Sequence, residues 1–323
     1  MICGAGSKPA AASQAAHLAP RDFVRSPAAL AARYTTTEAE AYTRWLATNH
    51  YENFQVVSFL LPKRLHQDFY NVYAYCRWAD DLGDEMGSQA ESLHLLAWWR
   101  EQLEAMYAGD ATHPVFVALR GTVARHSIPP EPFANLIRAF EQDQTVTRYA
   151  AWEDVYAYCR YSANPVGRLV LYLCGYSDTE RQKLSDATCT ALQLANFWQD
   201  VTVDLEKDRV YIPLEVLTRH GYALEELYAR RWTPAFREVM REIVARTRDL
   251  FVEGLPLSSM VDRRLALDID LFSRGGLRVL DKIAEQDYDV LSRRPAITKA
   301  ERVWLLFGSL ARIAMLRAVP RAA

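Results

Sequence analysis

The predicted fold is decided by one stretch in the second half of the chain, Asn196-Phe197-Trp198-Gln199-Asp200-Val201-Thr202-Val203-Asp204. Asn196, Asp200 and Asp204 recur at four-residue spacing, which places them on one face of an α-helix, about 6 Å apart along its axis. Gln193 lies one turn before them. The other positions are mostly apolar, so we predict a largely buried helix that presents a row of oxygen-bearing side chains on one side.

A second acidic stretch, Asp80-Asp81-Leu82-Gly83-Asp84-Glu85, has the same spacing. Asp80 and Asp84 share a face at the carboxyl end of a helix that we predict over residues 63–85. The helix dipole disfavours negative charge at that end by about 0.3–1 kcal/mol. A solvated helix end could carry this cost, but a functional site explains both stretches together.

The two acidic faces predict a metal site if they oppose each other in a helical bundle. Crowded carboxylates are unfavourable unless cations neutralise them. Mg²⁺ prefers oxygen ligands and commonly takes one or two carboxylates together with substrate phosphates. We therefore predict a Mg²⁺-diphosphate site, with ligands drawn from Asp80, Asp81, Asp84, Asn196, Asp200 and Asp204.

The remaining sequence is typical of an all-α protein. Residues 1–36 are rich in Ala, Ser and Pro and are interpreted as a disordered leader. Helical periodicity continues over residues 37–323 with short connections and without strand-like alternation, which predicts a single all-α catalytic domain with a central cavity. Proline interrupts the helical pattern of residues 152–174 at Asn164-Pro165.

Composition excludes several classes of protein. The net charge of -2 over 323 residues gives no basic field for nucleic acid. The sequence contains no P-loop, Rossmann or nucleophile-elbow motif and no apolar run long enough to span a membrane. Its five cysteines are scattered, and a reducing cytoplasm is the expected location.

Four further residues are candidates from their positions alone. Arg77 could form a local ion pair with Asp81 or orient a phosphate. Arg209 and Tyr211 follow the second acidic stretch and could bind a leaving diphosphate. Gly167, just after the proline interruption, could admit a substrate or allow close helix packing.

Many of these residues belong to motifs through which the chain resembles the squalene/phytoene synthase family, the head-to-head prenyl synthases of the all-α isoprenoid synthase fold. The resemblance covers about residues 50–296. Its motifs are Ser58-Phe59 with Leu61-Pro62, residues 73–81, Asp143 ahead of Arg148-Tyr149, residues 158–167, residues 192–196, Asp200 with Asp204, residues 209–213, Gly275-Gly276 and Arg293-Arg294-Pro295.

The resemblance implies an apolar tunnel for prenyl chains and a Mg²⁺ cluster on the substrate diphosphate. The residues that it implies for catalysis are Asp80, Asp84, Asp200, Asp204 and Tyr211. Those that it implies for substrate binding are Ser58, Phe59, Tyr73, Arg77, Tyr149, Gly167, Gln193, Asn196, Gln199, Arg209 and Arg294.

The chain departs from the family pattern at Gln199. Members that condense two prenyl diphosphates usually carry an arginine there, and a basic pair before the first acidic motif is His66-Gln67 here. Fewer cations suit an enzyme that handles one diphosphate. The surrounding motifs resemble the hydroxysqualene synthase branch of bacterial hopanoid and squalene pathways, which converts presqualene diphosphate to hydroxysqualene.

That branch implies no NAD(P)H and a functional link to a presqualene diphosphate synthase and a hydroxysqualene reductase. The hydrophobic substrate and product are compatible with peripheral contact of a cytoplasmic protein with the inner face of a membrane. Two alternatives remain open at this point. One is condensation of two prenyl diphosphates to presqualene diphosphate, squalene or phytoene. The other is a non-catalytic assembly protein that keeps the fold.

Overall fold

The computed structural model describes residues 18–49 and 62–318. These residues are predominantly helical and contain no β-strand, with one isolated bridge between Arg148 and Val210. The prediction of an all-α protein is confirmed. The chain forms two compact units, Met1–Gln144 and Thr145–Ala323, which are described separately.

The first unit is built around one central helix. Its helices are α1 (Pro20–Phe23), α2 (Pro27–Ala31), α3 (Thr36–Asn49), α4 (His66–Asp84), α5 (Gln89–Tyr107), α6 (Pro114–His126) and α7 (Glu131–Asp143). Helix α4 packs against α3, α5, α6 and α7. Trp78 of α4 stacks on Trp99 of α5 with ring centroids 5.0 Å apart, and both side chains are fully buried. This packing fixes the orientation of the acidic end of α4.

The predicted disordered leader is wrong for residues 18–35. Helices α1 and α2 each begin with a proline, and the Ser26 side chain caps α2. Phe23 is fully buried and its ring contacts Tyr42 and Trp78. The Ala- and Pro-rich composition suggests too little apolar burial to offset the conformational entropy lost when this segment becomes ordered. Burial of the Phe23 ring supplies that missing free energy. Residues 1–17 lie outside the described residues.

The second unit is built around the helix that carries Gln193 and Asn196. Its helices are α8 (Trp152–Ser162), α9 (Asn164–Leu173), α10 (Thr179–Gln199), α11 (Val201–Glu206), α12 (Leu214–Arg219), α13 (Leu224–Tyr228), α14 (Pro234–Gly254), α15 (Arg263–Glu285) and α16 (Lys299–Ala318). Helix α10 packs against α9, α14 and α15. The fully buried Trp198 of α10 donates its indole N–H to Thr247 Oγ1 of α14 at 2.7 Å.

Most predicted helices are present, and the differences have local causes. The interruption at Asn164-Pro165 is confirmed, because α8 ends at Ser162 and α9 begins at Asn164. The helical pattern of residues 214–230 predicts one helix, but the structure has two, α12 and α13, separated where Gly221 adopts a φ of +66°. The helical pattern from Pro132 to about Arg148 predicts another helix, which in the structure ends at Asp143.

The predicted domain limits, 1–36 and 37–323, and the predicted central cavity stay predictions. No helix within residues 18–49 or 62–318 combines the length and hydropathy needed to cross a membrane.

Candidate active site

The acidic end of α4 is organised by Arg77 from the same helix. Its guanidinium forms ion pairs with Asp80 at 3.2 Å, with Asp81 at 2.5 Å and with Glu85 at 3.0 Å. The local ion pair between Arg77 and Asp81 is therefore present. The same guanidinium bridges three carboxylates, and its predicted contact with a phosphate stays a prediction. Burial acts to lower the pKa of Arg77, but the neighbouring carboxylates outweigh it and raise the pKa above its ordinary value.

The three aspartates of this stretch do not face the same way. The Asp80 side chain is 44% exposed and Asp84 is exposed, whereas the Asp81 side chain is only 3% exposed. Burial raises the pKa of Asp81 to about 7, with Arg77 opposing the shift. Asp80 and Asp84 share the accessible face, on which Tyr73 lies further back along α4. Asp81 is placed as an inward partner of Arg77, and its predicted metal contact stays a prediction.

The polar face of the second unit survives a break in the helix. Asp200 separates α10 from α11 with φ -107° and ψ 17°. The backbone nonetheless keeps the four-residue repeat, because Asp200 N–H donates to the Asn196 carbonyl and Asp204 N–H donates to the Asp200 carbonyl, each at 2.9 Å. Asn196 is exposed, and Gln193, Asp200 and Asp204 are partly exposed. The predicted row of amide and carboxylate groups is thus present.

A cation from a distant part of the chain lies on this face. Arg294, in the connection between α15 and α16, donates from Nε and Nη2 to the two carboxylate oxygens of Asp200, with 3.2 Å between Nη2 and Oδ2. The adjacent Gln199 donates its side-chain amide to the Pro295 carbonyl at 2.6 Å. The interaction with Asp200 raises the pKa of Arg294. Of the predicted substrate-binding residues, Arg294 therefore belongs to the connection between α15 and α16, and Gln199 is hydrogen-bonded to the same connection.

An aromatic cluster packs around Phe197 of α10. Tyr211 stacks on Phe197 with ring centroids 3.7 Å apart, and Tyr149 and Tyr158 lie 5.6 and 5.8 Å from Tyr211. All four side chains are buried. The segment that carries Tyr149 lies beside the segment that carries Tyr211, because Val210 N–H donates a hydrogen bond to the Thr147 carbonyl at 2.9 Å.

Arg209 is placed beside these rings and the acidic face. Its backbone N–H donates to the Asp204 carbonyl at 2.9 Å. Together with Asp204, Phe197 and Tyr211 it lines a small pocket in this unit. The structure thus brings Arg209 and Tyr211 to the second acidic stretch, as the sequence predicted from their nearness in the chain.

Gly167 has a packing role in the structure. A Cβ atom at this position would lie 2.3 Å from Ser185 Oγ and 2.5 Å from Cys189 Sγ, both on α10. Only glycine allows α9 and α10 to approach this closely. The predicted contact of Gly167 with substrate stays a prediction. Ser58 and Phe59 lie outside the described residues.

Within residues 18–49 and 62–318, no group of three or more His, Cys, Asp or Glu side chains is close enough to hold a metal ion. The chemistry of the available groups nevertheless fits Mg²⁺, because each acidic face offers carboxylate oxygens, joined on α10 by the Asn196 amide. Mg²⁺ needs few protein ligands when a diphosphate supplies the others.

Sequence reasoning missed two features of the second unit. Phe197 and Tyr158 complete the aromatic cluster, but residues 14 to 53 positions from Tyr211 carry no periodic signal that joins them to it. Pro295 receives the amide of Gln199 across 96 residues, which no local pattern reveals. The adjacency of Arg294 and Pro295 in one motif was the only available signal.

Comparison with known proteins identifies relatives over most of the chain. Residues 47–301 match the family model for squalene/phytoene synthase. A hydroxysqualene synthase of Rhodopseudomonas palustris is 35% identical, over 81% of this chain and 89% of the relative. A phytoene synthase of Thermus thermophilus is 33% identical, over 80% of this chain and 87% of the relative.

A solved structure agrees with these relatives. The squalene synthase HpnC of Alicyclobacillus acidocaldarius is 45% identical, with a TM-score of 0.76, over 78% of this chain and 95% of that one. Together with the family model and the order of the motifs, this similarity leaves one assignment: the chain belongs to the squalene/phytoene synthase family.

Proposed function

We propose that this chain converts presqualene diphosphate to hydroxysqualene with Mg²⁺ and without NAD(P)H. The C–O bond to the diphosphate breaks, and the electron pair leaves with the diphosphate. The cyclopropylcarbinyl cation rearranges, a water oxygen forms the new C–O bond, and that water loses a proton. No atom needs a reductant, so the reaction balances without a nicotinamide.

The observation that carries this proposal is the combination of Gln199, Asp200 and Arg294 on one face of the second unit. The face keeps the carboxylates for a Mg²⁺-bound diphosphate but has a neutral amide on α10 where two-diphosphate enzymes of the family usually have a cation. Similarity to hydroxysqualene synthase supports the same branch.

The proposed roles follow from the chemistry of the residues. Mg²⁺ would supply Lewis-acid stabilisation of the charge that develops on the leaving diphosphate. Each acidic face would supply ligands to Mg²⁺: Asp80 and Asp84 on α4 in the first unit, and Asn196, Asp200 and Asp204 along α10 and α11 in the second. Arg77, Arg209 and Arg294 would bind diphosphate oxygens, and Tyr211 could donate its hydroxyl to them.

The buried aromatic cluster of the second unit suits a cationic intermediate. The faces of Tyr149, Phe197 and Tyr211 carry the negative part of the ring quadrupole, which attracts cations most strongly where water is excluded. Gln193 and Tyr73 remain candidates for contacts to the substrate.

Two alternatives are separable. Condensation of two prenyl diphosphates is favoured by the similarity to phytoene synthase, and a non-catalytic assembly role would require no Mg²⁺-dependent reaction. Purified protein is given farnesyl diphosphate and presqualene diphosphate separately, with Mg²⁺ and without NADPH, and the products are identified by mass. Hydroxysqualene from presqualene diphosphate supports the proposal.

Presqualene diphosphate formed from farnesyl diphosphate would replace the proposal with the condensing function. Absence of diphosphate release from either substrate would leave the assembly role. If the proposed reaction holds, a presqualene diphosphate synthase would supply the substrate and a hydroxysqualene reductase would consume the product.

We also propose that the protein contacts the cytoplasmic surface of an anionic membrane through α16. Its outer face exposes Trp304 at 81% and Phe307 at 66%, together with Val303 and Leu310. The opposite side is fixed by Glu301, which pairs with Arg278 and Lys282. Lys299, Arg302 and Arg312 are exposed on the same helix. An amphipathic helix with exposed aromatic residues and basic charge suits a membrane interface.

Vesicle sedimentation tests this contact. Vesicles of phosphatidylcholine with phosphatidylglycerol should bind the protein, and the double variant W304E/F307E should lose that binding. The matched control is Val252→Glu, at an exposed apolar position on α14. Equal binding by all three proteins, or self-association through α16 without vesicle binding, would overturn the membrane contact.

A further inference from the structure

Two consecutive residues at the end of α10 hold two consecutive residues of the connection between α15 and α16. Gln199 donates its side-chain amide to the Pro295 carbonyl at 2.6 Å, and Asp200 accepts a two-pronged interaction from Arg294. The partners are 94 to 96 positions apart in the chain. Gln199 thus holds the backbone of the connection, whereas Asp200 holds the Arg294 side chain.

The connection is also fixed on its other side. Gln286, just after α15, donates its side-chain amide to the carbonyls of Asp289 and Arg293 at 2.8 and 2.9 Å. Pro295 is buried, has no N–H and has a fixed φ, so its carbonyl is its only backbone group available for hydrogen bonding. The Gln199 amide therefore holds the connection at a point next to the Cα atom of Arg294.

We propose that Gln199 is a positioning residue that acts through Arg294. By holding the Pro295 carbonyl it keeps the Arg294 guanidinium beside Asp200, where it can bind the substrate diphosphate. The proposal rests on the Mg²⁺-diphosphate site of the proposed function.

This arrangement gives the glutamine a positive role. An arginine at position 199 would carry a cation on α10 itself. Here the side chain is neutral, and the cation beside Asp200 comes from the connection instead. An arginine side chain is flexible, and its planar fork binds two oxygens well only when its direction is set. A carboxylate oxygen accepts more than one interaction, so Asp200 can orient Arg294 and still face a cation.

A double-mutant cycle tests the proposal on the full-length protein. Binding of inorganic diphosphate with Mg²⁺ is measured by calorimetry for wild type, Gln199→Leu, Arg294→Gln and the double variant. The matched control is Gln182→Leu. Gln182 also lies on α10 and donates its amide to a backbone carbonyl, that of Ser177, at 3.3 Å. If the leucine variant does not fold, Gln199→Asn, which is one methylene shorter, takes its place.

The expected pattern is specific to a role through Arg294. Arg294→Gln should weaken diphosphate binding about 10- to 100-fold, as expected for loss of a charge-assisted interaction. Gln199→Leu should weaken it about 5-fold, but by less than about 2-fold when Arg294 is already glutamine. Gln182→Leu should bind as wild type.

An equal loss from Gln199→Leu in both backgrounds would overturn the proposal, because a general structural defect does not depend on Arg294. So would wild-type affinity in Gln199→Leu. Diphosphate binding is measured without turnover, so the two proposals can fail separately. If the double-mutant cycle gives the expected values but the protein does not convert presqualene diphosphate, the proposed reaction is rejected and the positioning role is retained. Failure of wild type to bind diphosphate with Mg²⁺ would reject both.

Discussion

The acidic faces of the two units are neutralised in different ways. On α4, Arg77 comes from the same helix and reaches Asp80 and Asp81 at three and four residues' distance. On α10, Asp200 is paired with Arg294, which is 94 positions away. Similar sequence patterns therefore carry different tertiary arrangements, because the helical repeat places the carboxylates but does not choose their cations.

The two arginines also differ in what they leave behind when removed. Asp81 is buried, so loss of Arg77 would strand a carboxylate without its ion-pair partner. Arg294 is half exposed, and water can solvate Asp200 in its absence. The first pair is expected to matter for stability and the second mainly for binding.

The largest expected effect tests whether both faces take part in one reaction. Asp80→Asn and Asp200→Asn should each lower kcat for diphosphate release at least about 1000-fold, because each removes a charged ligand needed to stabilise the leaving group. Far-UV circular dichroism should show an intact helical fold. The control is Asp249→Asn, an exposed carboxylate on α14. Full activity in Asp80→Asn alone would remove the first face from the site.

Removal of Arg77 should lower stability more than removal of Arg294. Arg77→Gln leaves the buried Asp81 without its partner beside Asp80 and Glu85, and the free energy of unfolding should fall by about 1–3 kcal/mol. Urea denaturation at pH 7 measures the change. Arg241→Gln, which breaks an exposed pair with Glu238, is the control and should change it by less than about 1 kcal/mol. Similar losses of unfolding free energy in Arg77→Gln and Arg241→Gln would show that the buried Asp81 does not make the Arg77 ion pairs more important for stability than an exposed pair.

A buried carboxylate of the second unit supplies a comparison with Asp81. Asp268 on α15 is 3% exposed, neither of its oxygens has a hydrogen-bond partner within the described chain, and burial raises its pKa to about 7. Between pH 4 and 7 the folded state holds a proton that the unfolded state has lost. Stability therefore falls as pH rises through this window, and the cost is complete above it.

Asp268→Asn should abolish that contribution. The variant should gain about 3 kcal/mol over wild type between pH 4.5 and pH 8, because most of the interval between the ordinary aspartate pKa and the folded pKa of about 7 lies in this window and one pKa unit corresponds to about 1.4 kcal/mol. Urea denaturation across this range measures the gain, with the exposed Asp249→Asn as control. Parallel pH profiles for wild type and Asp268→Asn would show that Asp268 is not the group responsible.

The smallest expected effect completes the comparison of the two arginines. Arg294→Gln should lower the free energy of unfolding by less than about 1 kcal/mol, because its pair with Asp200 is partly solvated. The measurement is urea denaturation at pH 7 without Mg²⁺. A loss as large as that of Arg77→Gln would mean that the connection bearing Arg294 contributes to folding rather than mainly to binding.

Much of the fold was accessible from sequence because its signals are local. Helical periodicity predicted most helices, and Asn164-Pro165 predicted a real interruption. Disorder was wrongly predicted for the Ala- and Pro-rich leader, because composition does not show that the Phe23 ring packs against Tyr42 of α3 and Trp78 of α4. The break at Asp200 was missed because the backbone keeps the four-residue repeat across it.

For the candidate site, the sequence alone determined the two rows of acidic and amide side chains and the nearness of Arg209 and Tyr211 to one of them. These follow from i, i+4 geometry and short chain distance. Only the tertiary structure decided that Asp81 turns inward, that Gly167 serves the contact of α9 with α10, and that Gln199 and Asp200 hold Pro295 and Arg294. Helical periodicity is a property of neighbouring residues, whereas the partner of a charge is set by the path of the whole chain.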